Sequence, residues 1–216
     1  MLTIPLSAAP GDLAAKLAAI AEVGFEAIDL SLTDVAQFDG ALDELAECIA
    51  GAGLRIASLR PLDAGASAAL IEAKAVMART LGVDLLILTV DRDVPSALPN
   101  INGVRLALQP SRTAEDAVMT SVKDQNDPAI GLALNAFDVL GDGSRPARLR
   151  DLDGTSVFHV TLCDGPTMPV LPGQGTLNLG GFARVLARIG YSGPWSVSAA
   201  SGSDSVPDAY RALVTV

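Results

Sequence analysis

Residues 157–198 read VFHVTLCDGPTMPVLPGQGTLNLGGFARVLARIGYSGPWSVS. The stretch opens on an apolar run and passes through a Gly- and Pro-rich loop. It then enters a segment in which Phe182, Val185, Leu186 and Ile189 recur at helical spacing, with Gly190 at the expected stop. A second apolar run, 194–199, follows at once. A strand, a helix and a second strand joined this tightly form a crossover unit, which links parallel strands.

The same alternation extends upstream. Apolar runs at 2–6, 27–31, 54–60, 84–90, 104–109, 130–136 and 156–162, with 194–199, predict eight strands. Between them Leu13, Leu17 and Ile20 share one helical face, and Leu42, Leu45 and Ile49 another. The fold class is therefore α/β, and eight parallel strands with covering helices make a (β/α)8 TIM barrel. At 216 residues, half of them hydrophobic, the chain can bury one barrel core, so 1–216 is expected to be a single domain.

The barrel is expected to be trimmed. The short stretch 91–103 carries Pro95 and Pro99 between two parallel strands, so the helix between strands 4 and 5 should be short or absent. Residues 137–155, rich in Gly, Asp and Arg, leave room for a short helix at most.

A formal charge of −10 repels a phosphate backbone, so no nucleic-acid partner is expected. Mean hydropathy is positive, yet Glu72, Lys74, Arg79 and Asp84 interrupt the richest apolar stretch, so no membrane partner is expected either. No export signal is visible at the N-terminus, which points to the cytoplasm. Cys48, in a helical pattern, and Cys163, at a strand end, lack ligand spacing and are expected as small buried residues.

Strand alternation sorts side chains by face. Leu106 and Leu108 oppose Arg105, Ala107 and Gln109. Leu132 and Leu134 oppose Gly131, Ala133 and Asn135. Phe158, Val160 and Leu162 oppose Val157, His159 and Thr161, and Val197 opposes Ser196 and Ser198. Asp29 and Ser31, with Ser58 and Arg60, fall on the same side as these polar sets. The apolar sets should meet the helices, giving a polar lumen that opens at the C-terminal mouth, where barrel enzymes place their sites.

These residues resemble the xylose isomerase-like barrels, which include sugar phosphate isomerases/epimerases and 3-dehydroshikimate dehydratases. The likeness is carried by VFHVTLCDGP (157–166) and LPGQGTLNLGGFARVLARIGYSGPWSVS (171–198), supported by LRIASLRPLD (54–63), VRLALQPS (104–111) and IGLALNAFDVL (130–140). The resemblance implies a divalent metal held at four strand ends by a Glu, an Asp, a His or Gln, and a second Glu. The matching positions here are Gln109, Asn135, Thr161 and Ser198, and a further family His matches Asp138. Amides and hydroxyls supply dipoles where a hard cation needs anionic oxygens, so neither a metal nor any other cofactor is expected.

His159, Asp138 and Asp164 remain as catalytic candidates. His159 lies one layer below Thr161 and reads more readily as a hydrogen-bonded core imidazole, and Asp164, before Gly165-Pro166, as a turn-capping group. Arg60, beside Pro61, is placed to grip a ligand carboxylate or phosphate, or else to pair with a mouth aspartate such as Asp29. Gly173-Gln174-Gly175 lacks the lysine and the strand-loop-helix setting of a phosphate cradle, and Trp195 reads as packing.

Arg60, Gln109, Asn135, Thr161 and Ser198 are thus expected to form a ligand-binding mouth in a degenerate barrel. It would take a small polar molecule or a protein partner without the family's chemistry, and a homo-oligomer is also open. The alternative is an active isomerase, epimerase, or dehydratase/lyase on a sugar or hydroxy acid, metal-independent or with relocated ligands. A third possibility is a partner chain that supplies function beside the strand surface left bare near 91–103.

Overall fold

Eight parallel strands close into a barrel in chain order. They are β1 (Leu2–Pro5), β2 (Ala27–Ser31), β3 (Arg55–Leu62), β4 (Leu85–Val90), β5 (Arg105–Pro110), β6 (Ile130–Asn135), β7 (Val157–Leu162) and β8 (Trp195–Val197). The covering helices are α1 (Leu13–Val23), α2 (Leu32–Gln37), α3 (Leu42–Gly51), α4 (Ala68–Thr80), α5 (Glu115–Gln125), α6 (Ala136–Leu140), α7 (Leu179–Arg188) and α8 (Val206–Val214). This computed structural model describes the chain except residues 63–65, 93, 95–97, 100, 142–145, 166–167 and 199–205, and of 61 and 62 the backbone alone.

The helix boundaries follow from local chemistry. Asp12 accepts the Ala15 N–H at 2.9 Å to open α1, and Gly24 closes it at φ 105°, a conformation that costs glycine little. Asn178 caps α7 through the Gly181 N–H at 3.0 Å. The α7 stripe buries Phe182, Val185 and Leu186 against the strands, as its spacing requires.

Among the described residues, β4 and β5 are joined without a helix. Between β6 and β7 stand the five-residue α6 and two 3-10 turns, Pro146–Asp151 and Gly154–Ser156. Arg148 secures the first turn by donating to Val139 O at 2.7 Å and pairing with the buried Glu115 carboxylate of α5. Among the described residues no helix is long and apolar enough to cross a membrane.

The main core lies between the outer strand faces and the helices, with Ile28, Leu30, Leu59, Leu106, Leu132 and Val160 in one cluster with Leu17, Ile20, Leu45 and Phe182. A second cluster, Leu85, Ile87, Ala107, Ala133 and Phe158, has the strand parity of the lumen. Two expectations are corrected by it. Below the mouth the lumen is polar on the β1–β3 and β7–β8 side but apolar across β4–β6, where the polar Thr89, Gln109 and Asn135 stand at the strand ends. Phe158 also faces inward and not toward the helices, because the β6–β7 register slips, with Leu132 opposite Val157 but Ala133 opposite His159. The space for its ring is the missing side chain of Gly131, where a Cβ would stand 2.7 Å from Phe158 Cε2.

The cysteines also part company. Cys163 is buried, but Cys48 is exposed on α3, beside the stripe of Leu45 and Ile49 and not within it.

Candidate functional site at the barrel mouth

The lumen is organised around Asp29 on β2, which is 1% exposed. Hydroxyls from three other strands donate to its carboxylate: Thr3 Oγ1 at 3.0 Å, Ser58 Oγ at 2.6 Å and Ser196 Oγ at 2.5 Å. His159 Nε2 of β7 lies 2.9 Å from Asp29 Oδ1, and Arg60 Nη2 lies 3.7 Å from Oδ2. Residues on β1, β2, β3, β7 and β8 can converge this way only through the barrel interior. Burial alone would push the Asp29 carboxyl up. The electrostatic influence of His159 and Arg60, with hydrogen bonds from His159 and Ser196, more than reverses this and holds it well below the usual carboxylate range. An ionised Asp29 only accepts, so the shared proton sits on His159 Nε2. His159 is 0% exposed, and its Nδ1 is buried without a hydrogen-bond partner among the described residues.

Arg60 links this hub to the mouth. Its side chain leaves the end of β3, crosses the lumen and donates from Nη1 to Thr161 Oγ1 of β7 at 3.1 Å. Its pairing with Asp29 and its reach to the strand ends therefore coexist in one geometry. The side chain is 15% exposed.

The four strand-end residues share the lumen parity. Asn135 stands opposite Thr161 in the β6–β7 register, and the Ser198 N–H extends the β7–β8 ladder by donating to Leu162 O at 3.0 Å. Gln109 ends β5 opposite Thr89. Asn135 Oδ1 accepts both the Phe137 N–H, capping α6, and the Cys163 S–H, each at 3.0 Å. The part of this amide left for a ligand is the Nδ2 donor. Burial pushes the Cys163 thiol up to about 12, with the Asp138 charge adding and the Arg60 charge opposing, so the thiol stays protonated.

The remaining candidates have separate partners. Asp164, 2% exposed, spends its carboxylate on its own loop, accepting from Gly165 N at 2.7 Å, Leu177 N at 2.8 Å and Gly173 N at 3.2 Å. The Gly173-Gln174-Gly175 loop thus folds onto an aspartate. Asp138, in the first turn of α6, has its carboxyl raised by burial, against the Arg112 charge and with that of Asp91. Sequence reasoning passed over Arg112, which lies with its guanidinium 4.0 Å from the Phe137 ring centre. The sequence pattern does not signal the three hydroxyls on Asp29 either, although alternation puts Ser58 and Ser196 on the lumen face. Trp195 packs edge-on against Tyr191 at 5.3 Å. Among the described residues, no group of three or more His, Cys, Asp or Glu side chains is arranged to hold a metal ion.

The strands and helices define a (β/α)8 TIM barrel, and comparison with known proteins finds similar folds among xylose isomerase-like barrels. The chain is 28% identical over 90% of its length to the 3-dehydroshikimate dehydratase of Pseudomonas aeruginosa, and 25% identical over 90% to that of Pseudomonas putida. It spans only 37% and 36% of those enzymes' own lengths. A solved xylose isomerase-like TIM barrel/4-hydroxyphenylpyruvate dioxygenase fusion protein superposes with a TM-score of 0.87 at 21% identity, covering 99% of this chain and 42% of that one. The IOLI protein, solved with a bound zinc atom, superposes with a TM-score of 0.83 at 20% identity, covering 99% and 95%. No family profile matches the chain.

Proposed function

We propose that this chain is a xylose isomerase-like barrel whose mouth has lost the divalent-metal site and binds a small polar, carboxylate-bearing ligand without metal-dependent turnover. The observation that carries this reading is the donor set. At the four strand ends stand two amides and two hydroxyls, the Asn135 oxygen already serves Phe137 and Cys163, and the Thr161 oxygen already serves Arg60. A hard divalent cation needs anionic oxygens to offset its dehydration, and this set does not fit one. It fits an anion better, because Arg60 and Asn135 Nδ2 both donate. Gln109 and Ser198 complete the binding set in this reading.

Titration calorimetry with Mn²⁺ at pH 7 is expected to show no heat above background, whereas 3-dehydroshikimate, the compound for which the relatives are named, should bind and be recovered unchanged. Micromolar Mn²⁺ affinity would overturn the reading.

A second reading is favoured by the likeness to the dehydratases together with the raised Asp138 carboxyl: an active lyase in which Asp138 transfers a proton without metal. A carboxyl with a raised pKa keeps its proton to higher pH than a free one, so an Asp138 acid would lose activity as pH climbs above the ordinary carboxylate range. Dehydration of 3-dehydroshikimate with that pH profile, abolished by Asp138→Asn, would establish it. On our reading, both the native protein and the variant show none.

A further inference from the structure

We propose that the Arg60 guanidinium is the resident cation of this mouth, standing where a metal-binding barrel would hold its ion, and that its charge excludes divalent cations while selecting carboxylates. The inference rests on the reading above that the strand ends have lost their anionic ligands, and it adds the group that took over the positive charge.

The geometry is that of a fixed cation. In an eight-stranded ring β3 and β7 face each other, and Arg60 spans the gap to donate to Thr161 Oγ1 at 3.1 Å. Thr161 is itself one of the four strand-end positions, so the guanidinium reaches their level. It is tethered as well, since its other arm faces Asp29 at 3.7 Å. Asp29 cannot follow a ligand away, because hydroxyls from β1, β3 and β8 and the imidazole from β7 hold it in place.

A guanidinium carries five N–H donors, and these contacts use only part of them. The Arg60 side chain keeps 15% of its surface exposed, which leaves donors accessible to a ligand. A divalent ion at this level would have to take the Thr161 hydroxyl from Arg60 and then sit within a few ångströms of a permanent positive charge, in a partly buried setting where screening is weak. A carboxylate meets the same charge as an attraction, with a planar fork that matches its two oxygens.

The test compares three backgrounds of a variant that returns carboxylate and imidazole ligands to the strand ends: Gln109→Glu, Asn135→Asp, Thr161→His and Ser198→Glu. In the first Arg60 is intact, in the second Arg60→Lys keeps the charge, and in the third Arg60→Met removes it. Mn²⁺ binding is read by calorimetry and by loss of the free-ion paramagnetic resonance signal, with circular dichroism melting to select folded protein. Mn²⁺ affinity is expected to be at least tenfold higher with Arg60→Met than in either cation-bearing background. Equal affinity in all three would overturn the role of Arg60 while leaving the lost-metal-site reading standing. No binding in any of them would overturn both, because the strand ends would then not converge.

Should the multiple variants not fold, the single change Arg60→Met in the otherwise native chain gives an independent reading. Binding of 3-dehydroshikimate should weaken at least tenfold, while binding of its methyl ester, which lacks the charge, stays within twofold. Parallel losses for acid and ester would overturn the proposal.

Discussion

Asp29→Ala is expected to lower stability by about 3–5 kcal/mol, the range for stripping one partner from a buried charged network. For a chain of this size that is a fall in melting temperature of roughly 6–20 °C. The reason lies in what the substitution leaves behind. Three hydroxyls, an imidazole N–H and a guanidinium all converge on one carboxylate, and all but Arg60 are sealed in the lumen at 2% exposure or less. Deleting the acceptor orphans every donor at once and leaves a cavity that the surrounding strands cannot close. A buried network costs more when half satisfied than when absent.

Asp29→Asn separates charge from shape. The amide keeps one acceptor oxygen but offers an N–H₂ to groups that are themselves donors, so it too should destabilise, by less than alanine. The pH dependence has a fixed sign. Asp29 has a folded pKa depressed from its ordinary 3.8, so its contribution is fully present above that value and is lost as pH falls below it. The stability gap between the native chain and Asp29→Asn should therefore be constant near neutrality and narrow below about pH 4. A gap that widened on acidification would show that Asp29 is not the ionised centre of the hub.

The hub marks where sequence reading reached its limit. Period and spacing located all eight strands to within one or two residues, because each covering stripe, such as Phe182, Val185 and Leu186, repeats within one element. That the described residues between β4 and β5 hold no helix was legible for a similar local reason, since a short segment with two prolines hardly accommodates one. Strand parity also put Ser58, His159 and Ser196 on the lumen side. Their common target was not legible, because their bonds to Asp29 join residues 29, 130 and 167 apart along the chain.

Parity also failed within β7. It assumes an unbroken ladder, and the slip beside Val157 turned Phe158 inward. The clue was Gly131, a strand glycine on the inward face, which makes room for a neighbouring ring. The polar lumen was overextended for a related reason. Small residues such as Ala107 and Ala133 are compatible with either kind of interior, and only Leu85 and Ile87 across from them decide for an apolar one.

Asp164 offers the second large effect, and it separates a loop organiser from a proton carrier. Three backbone N–H groups, from Gly165, Gly173 and Leu177, end on its carboxylate, and its own backbone pairs with Val170 through N–H and C=O at 2.8 and 3.0 Å. Asp164→Ala removes the side-chain acceptors and is expected to cost about 2–4 kcal/mol. Amide exchange at Gly173 and Leu177 should rise toward unprotected rates while the β4–β6 strands keep their protection. Asp164→Asn retains one acceptor oxygen for Gly165 and Leu177, so it should release Gly173 alone and cost less than half as much. Gly175 supplies a check from the opposite side of the contact. A Cβ there would stand 2.3 Å from Gly165 N and 2.4 Å from Asp164 Oδ1, so Gly175→Ala should open the same amides while leaving the carboxylate in the chain. A group that transfers protons behaves otherwise: its asparagine variant loses turnover while the loop stays closed. Unchanged exchange at Gly173 and Leu177 in Asp164→Ala would remove the organising role and return Asp164 to the candidates for chemistry. Opening in all three variants would place this carboxylate in the architecture of the rim, and leave the charge of the mouth to Arg60.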